Sequence, residues 1–175
     1  LSRIIKIIFN NKFNNENITF KELYDITKKK LIITGTCLNE MKTYYFDYEN
    51  TPDLKILDSI LISVCVPILF TPRKHDNKLF VDGGLTSNYP IEYFSDDINN
   101  TIGIMICDTN TNNIDSLTNY LYTIFKCPFK KITQLVYELY KENTIIISNI
   151  NPIIGYYYEK SELKDLNPEI IDLCK

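Results

Sequence analysis

Residues 79–90 read LFVDGGLTSNYP. An apolar run, Leu79 to Val81, has the character of a short strand, and the carboxylate of Asp82 stands at its end. Gly83 and Gly84 follow, removing the Cβ atoms that would crowd a close neighbour or block a positive φ. Asn88 can tie the loop to itself through side-chain hydrogen bonds, and Pro90 is placed to open the next helix. A carboxylate held beside such a bend can take the proton of a nearby hydroxyl and raise its nucleophilicity. A plain Asp-Gly turn between two elements explains the same letters. The stretch by itself leaves both readings open.

Strands and helices alternate on either side of it. Leu1 to Phe9 reads as a helix end or a strand, and Asn10 to Asn17 as a polar, Asn-rich loop. Thr19 caps a short helix through Lys28, with Glu22 as the other half of a capping box. LIITGTC, residues 31–37, is rich in β-branched residues and continuous enough for an interior strand; Thr43 to Tyr48 is a second strand. Gly35 has no companion glycines, so it belongs to strand packing and not to a dinucleotide loop. Thr51-Pro52-Asp53 has the composition of a helix start, and Leu54, Leu57, Ile60 and Leu61 carry its apolar stripe. Pro67 breaks that pattern, and Pro72 opens a polar loop around His75, Asp76 and Asn77.

Downstream, TIGIMIC (101–107) is a buried-type strand. Leu117, Leu121, Ile124 and Phe125 mark a helix face that Pro128 interrupts, with core packing expected around Phe125 to Phe129. Ile132, Leu135, Val136 and Leu139 resume helically, and TIIISNI (144–150) is a last strand. Tyr156-Tyr157-Tyr158 fits a half-buried edge strand, while Ser161 and Pro168 start short terminal helices. The alternation predicts an α/β fold, a layered and mostly parallel sheet flanked by helices. Asp82 then sits at the mouth of a parallel-type strand, where such folds place ligands.

Composition narrows the function classes. A chain of 175 residues with 45% apolar content can bury one core, so it is one domain or a large part of one. The formal charge of -3 leaves no basic stripe to neutralise phosphates, which excludes a nucleic-acid binder. Lys28 to Lys30, and Lys126, Lys130 and Lys131, read as solvated faces. Five cysteines (Cys37, Cys65, Cys107, Cys127, Cys174) form no CxxC pair, as expected for reduced, buried thiols of an intracellular, cytoplasmic protein. His75 is the one histidine and reads as a surface residue. No run of 18 apolar residues announces a transmembrane helix, so any membrane contact is expected to be peripheral. A first residue of Leu1 suggests a processed product or the back part of a longer protein.

Two stretches belong together: DLKILDSILISVCVPILFTP (53–72), with Ser63, Pro67, Phe70 and Pro72 in a Ser-x-x-x-Pro-x-x-Phe-x-Pro run, and VDGGLTSNYP (81–90), with Asp82-Gly83-Gly84, Asn88 and Pro90. This resembles the second half of a patatin-like phospholipase domain, and TFKELYDITKKKLIITGTCLN (19–39) is similar to the segment ahead of that motif. The similarity runs over about residues 18–110. The resemblance implies a lipid acyl hydrolase working by a Ser-Asp dyad on phospholipid or another acyl ester, without cofactor or metal. A GxSxG serine would be the nucleophile, Asp82 its base, and an earlier glycine-rich loop the source of oxyanion donors. The chain departs from the pattern there. Its five glycines build neither element, and none of its eight serines, Ser63 and Ser87 included, has the elbow's flanking glycines. The expectation is that residues 1–175 are the C-terminal portion of a single patatin-like domain, inactive alone and exposing an edge or apolar face to the missing N-terminal half. Two alternatives stand beside it: a catalytically dead scaffold or interaction module, and a magnesium-dependent hydrolase in which Asp76 and Asp108 converge on Asp82.

Overall fold

A computed structural model describes residues 1–107 and 114–148. In chain order the elements are α1 (Ser2–Phe13), α2 (Phe20–Thr27), β1 (Ile33–Cys37), β2 (Lys42–Phe46), α3 (Ile56–Ser63), β3 (Arg73–His75) and β4 (Lys78–Asp82). Two 3₁₀ segments, Gly83–Leu85 and Pro90–Asn100, lead to β5 (Gly103–Cys107), α4 (Leu117–Tyr140) and β6 (Thr144–Ser148).

The sheet corrects the expected fold class. Four strands in the order β2-β1-β4-β3 form a sheet whose pairings are all antiparallel. Among the described residues only β5 and β6 pair in parallel, as a separate two-stranded sheet. The fold is α/β, but the mostly parallel sheet does not exist among the described residues. Connection length accounts for the β1–β2 and β3–β4 pairings, because a parallel crossover needs about a dozen residues. β3 and β4 are joined through Asp76 and Asn77 alone, at φ 45 and 59, the double left-handed turn that matches the twist of a hairpin. The region expected as a polar loop is therefore a β-hairpin. β1 and β2 are closed by Leu38 to Met41, with Met41 at φ 52. Asp82 thus ends a strand that is antiparallel to both its neighbours.

Local signals hold best where partners are near in sequence. The capping box forms as expected: Glu22 N–H donates to Thr19 Oγ1 at 3.2 Å and Thr19 N–H to Glu22 Oε2 at 2.8 Å. α1 runs on to Phe13, into the stretch expected as loop, and closes at Asn14 with φ 52. α3 starts at Ile56 and not at Pro52. The carbonyls of Pro52 and Leu54 are used elsewhere, accepting from Lys21 N–H at 3.1 Å and Phe20 N–H at 3.2 Å. They satisfy the first amides of α2, which have no partner within their own helix. Tertiary pairing overrides the local start signal.

Ile18, Phe20, Cys37, Phe46, Ile56, Ile62 and Phe80 form the main core between this sheet and its helices. Gly35 lies in it as strand packing requires. A Cβ there would meet Ile62 Cγ2 at 2.7 Å and Phe46 Cε2 at 2.8 Å.

The second part is smaller and more open. Tyr89, Ile91 and Met105 form its core, with Val136, Tyr137 and Tyr140 of α4 against them. The Tyr89 and Thr144 hydroxyls are 2.8 Å apart, tying the site's loop to β6. Ile104 and Ile106 of β5 are exposed, so that strand is not of the buried type expected, and Ile145 to Ile147 of β6 are exposed beside it. α4 continues through Pro128, although proline supplies no N–H to the preceding turn. Phe125 and Phe129 pack ring to ring at 4.8 Å and are half-buried, outside the core. Cys37 and Cys65 are buried thiols, whereas Cys127 is exposed. Asp108, the end of the 144–150 strand, Tyr156 to Tyr158, the helices at Ser161 and Pro168, and Cys174 lie outside the described residues. Among the described residues no helix is long and apolar enough to cross a membrane.

Candidate active site

Asp82 is the last residue of β4, paired across the sheet with Gly35 of β1. Its backbone is held on both sides: its N–H donates to Cys65 O at 2.9 Å, and its carbonyl accepts from Thr36 Oγ1 at 2.9 Å. Its carboxylate accepts from Gly84 N–H at 2.8 Å through Oδ1. Burial pushes the carboxyl above the ordinary aspartate range, partly offset by the Gly84 N–H. A desolvated carboxylate with a raised pKa is a stronger base than an exposed one.

The two glycines are there for close approach. A Cβ on Gly83 would lie 2.8 Å from the backbone carbon of Thr34. One on Gly84 would lie 2.9 Å from Asn88 Oδ1 and 3.1 Å from Asp82 Oδ1. Asn88 is exposed, with its amide oxygen against Gly84. Pro90 opens the 3₁₀ segment that follows.

Sequence reasoning missed the hydroxyls that tie this loop. Thr86 N–H and Ser87 N–H both reach Gly83 O, at 3.2 and 2.9 Å. Thr86 Oγ1 lies 2.9 Å from Thr36 Oγ1 and accepts from Thr43 Oγ1 at 2.7 Å, joining the loop to β1 and β2. Ser87 Oγ donates to Glu92 Oε1 at 3.3 Å, while Glu92 Oε2 is buried without a partner among the described residues. Burial, then the Glu92 charge, raises the Tyr45 hydroxyl nearby. Thr36 on β1 and Thr43 on β2 were the available signal, but that they stand opposite each other depended on the antiparallel register.

The remaining candidates fall at different distances from Asp82. Ser63 ends α3, and no hydrogen bond joins it to Asp82. Pro67 lies in the loop after α3, on the wall of an apolar groove that also includes Val81. Cys65 links the two regions. Its carbonyl holds Asp82, and its thiol, raised mainly by burial, donates to Thr71 O at 3.1 Å. His75 is on β3, its ring 6.1 Å from those of Phe46 and Phe80 and its Nε2 3.5 Å from Asp76 Oδ2. Asp76 occupies the hairpin turn at the end of β4 opposite Asp82, so it does not converge there. Among the described residues no group of three His, Cys, Asp or Glu side chains could hold a metal ion.

Comparison with known proteins supplies the family. The sequence profile of the patatin-like phospholipases matches residues 1–95. "Probable lipid hydrolase 463L" of Invertebrate iridescent virus 6 is 41% identical over 78 residues, 45% of this chain and 27% of that protein. "Uncharacterized protein R571" of Acanthamoeba polyphaga mimivirus is 35% identical over 121 residues, 69% of this chain and 39% of that one. The matched regions therefore span less than half the length of either relative. With the profile covering more than half of its residues, the chain belongs to the patatin-like phospholipase family.

Proposed function

We propose that this chain contributes the general base, Asp82, to a Ser-Asp acyl hydrolase acting on phospholipid or another acyl ester. In this reading residues 1–175 are the C-terminal portion of one domain, and another segment of that domain supplies the nucleophilic serine and the oxyanion donors. The observation that carries it is the placement of Asp82: its backbone is fixed on both sides at the end of β4, and its half-buried carboxylate is pushed above the ordinary aspartate range by that burial. Asp82 accepts the proton of the serine hydroxyl as that oxygen bonds to the ester carbonyl carbon. The proton then goes to the departing alkoxide as the ester C–O bond breaks, leaving an acyl-enzyme. Water, deprotonated by the same carboxylate, then bonds to the acyl carbon; the serine C–O bond breaks, the proton returns to the serine oxygen and the fatty acid leaves. The 175 residues alone are expected to turn over no ester.

A second reading has its own support. The carboxylate of Asp82 caps the turn at Gly84 N–H, a structural task that needs no nucleophile, and none of the eight serines has an elbow's glycines. A patatin-like scaffold without catalysis would keep both features. Reaction of the complete polypeptide with a fluorophosphonate, followed by peptide mass spectrometry, separates the two. Acyl hydrolysis requires an adduct on one serine outside these residues, sharply reduced by Asp82→Asn. A folded protein that takes no specific label is a scaffold.

A further inference from the structure

The loop between α3 and β3, residues 64–72, reads VCVPILFTP. Cys65 anchors its base, bonding to Asp82 at one side and to Thr71 at the other. The tip has no such cover. Ile68 is 88% exposed, Leu69 69% and Phe70 59%. Ile68 also holds φ 73, a left-handed conformation that a β-branched residue rarely adopts. Strained backbone of this kind concentrates at functional sites. The tip residues themselves line an open, mostly apolar groove of about 540 Å³, completed by Leu38, Pro67 and Val81, the last being the residue before Asp82. Arg73 and Lys74 follow at once, both exposed.

An apolar tip with cations at its rim complements an anionic lipid surface. We propose that this is an interfacial loop: Ile68, Leu69 and Phe70 enter the lipid surface while Arg73 and Lys74 meet anionic head groups, bringing Asp82 to the interface. The occupant follows from the acyl hydrolase reading above, but vesicle binding needs no turnover, so the two ideas fail separately.

Flotation of the complete polypeptide tests it, with vesicles of phosphatidylcholine alone and of phosphatidylcholine mixed with phosphatidylserine. Ile68→Asn is the informative variant, since asparagine tolerates a left-handed φ and keeps the fold. Its thermal midpoint is expected to hold or rise while vesicle affinity falls about tenfold on both lipids. Arg73→Gln with Lys74→Gln should weaken binding to the phosphatidylserine vesicles alone, by about fivefold per charge. Unchanged affinity in Ile68→Asn and in Phe70→Ser would overturn the proposal. So would a midpoint lowered by several degrees in Ile68→Asn, which would mean that the tip packs against protein. Vesicle binding by a protein that takes no fluorophosphonate would keep this loop and end the hydrolase reading.

Discussion

The backbone N–H of Asp82 donates to the carbonyl of Cys65 at 2.9 Å, and the thiol of the same cysteine donates to Thr71 O at 3.1 Å. One buried residue therefore holds the candidate base and the root of the apolar loop together. Cys65→Ala removes the thiol bond and leaves a small void. The expected cost is about 1–2 kcal/mol in urea unfolding, with faster proteolysis within 66–72. Equal stability and equal cleavage would show that the link carries no load.

The two glycines after Asp82 differ in what they would strike. A Cβ at Gly83 meets the backbone of Thr34, which belongs to the sheet and cannot move aside. A Cβ at Gly84 meets the side chain of exposed Asn88. Gly83→Ala is expected to cost about 2–3 kcal/mol and Gly84→Ala less than about 1 kcal/mol, read from thermal unfolding. The reverse ranking would contradict this packing.

Two aspartates respond to pH with opposite signs. Burial raises Asp82, so the folded state holds that proton more tightly than the unfolded chain. Its contribution to stability is then greatest below the ordinary aspartate pKa and is lost as pH rises through the raised value. Asp82→Asn should accordingly stabilise the protein at neutral pH, with the gain disappearing in acid. Denaturant unfolding at several pH values measures it, and a pH-independent difference would refute the assignment.

Asp47 behaves the other way. It is fully buried, and although burial pushes its carboxyl up, hydrogen bonds from Asn50, Lys30 and Glu49 outweigh that and lower it. Lys30 Nζ lies 3.2 Å from Asp47 Oδ2, and the amides of Glu49 and Asn50 donate to Oδ1 at 2.9 and 2.7 Å. The stability it contributes is present above the ordinary aspartate pKa and is lost as pH falls through the lowered one. Asp47→Ala should cost about 2 kcal/mol at neutral pH and remove part of the acid sensitivity, because it removes a buried carboxylate that pairs with exposed Lys30 and accepts from the loop amides of Glu49 and Asn50.

What the sequence disclosed depended on how far apart the partners were. Thr19 and Glu22 declare their capping box because they are three residues apart. Asp82-Gly83-Gly84 declares a bend because the crowding that demands glycine is written in the glycines. The Asp76-Asn77 turn was illegible as a hairpin, since neither residue is the glycine that usually marks one. With it went the direction of the sheet. Pro52 looked like a helix start because its carbonyl's real partner, Lys21 N–H, is far away in sequence. For the same reason Thr36 and Thr86, which lock the loop behind Asp82 from 50 residues apart, could not be found before the register was known.

The most direct measurement is steady-state turnover of a short-chain soluble ester by the complete polypeptide and by its Asp82→Asn variant, with folding of both verified. A general base for the serine predicts a fall in kcat of about 10²–10⁴-fold with KM little changed. A variant that keeps kcat within a few-fold of the parent would show that Asp82 only caps the turn at Gly84 and that the base lies elsewhere.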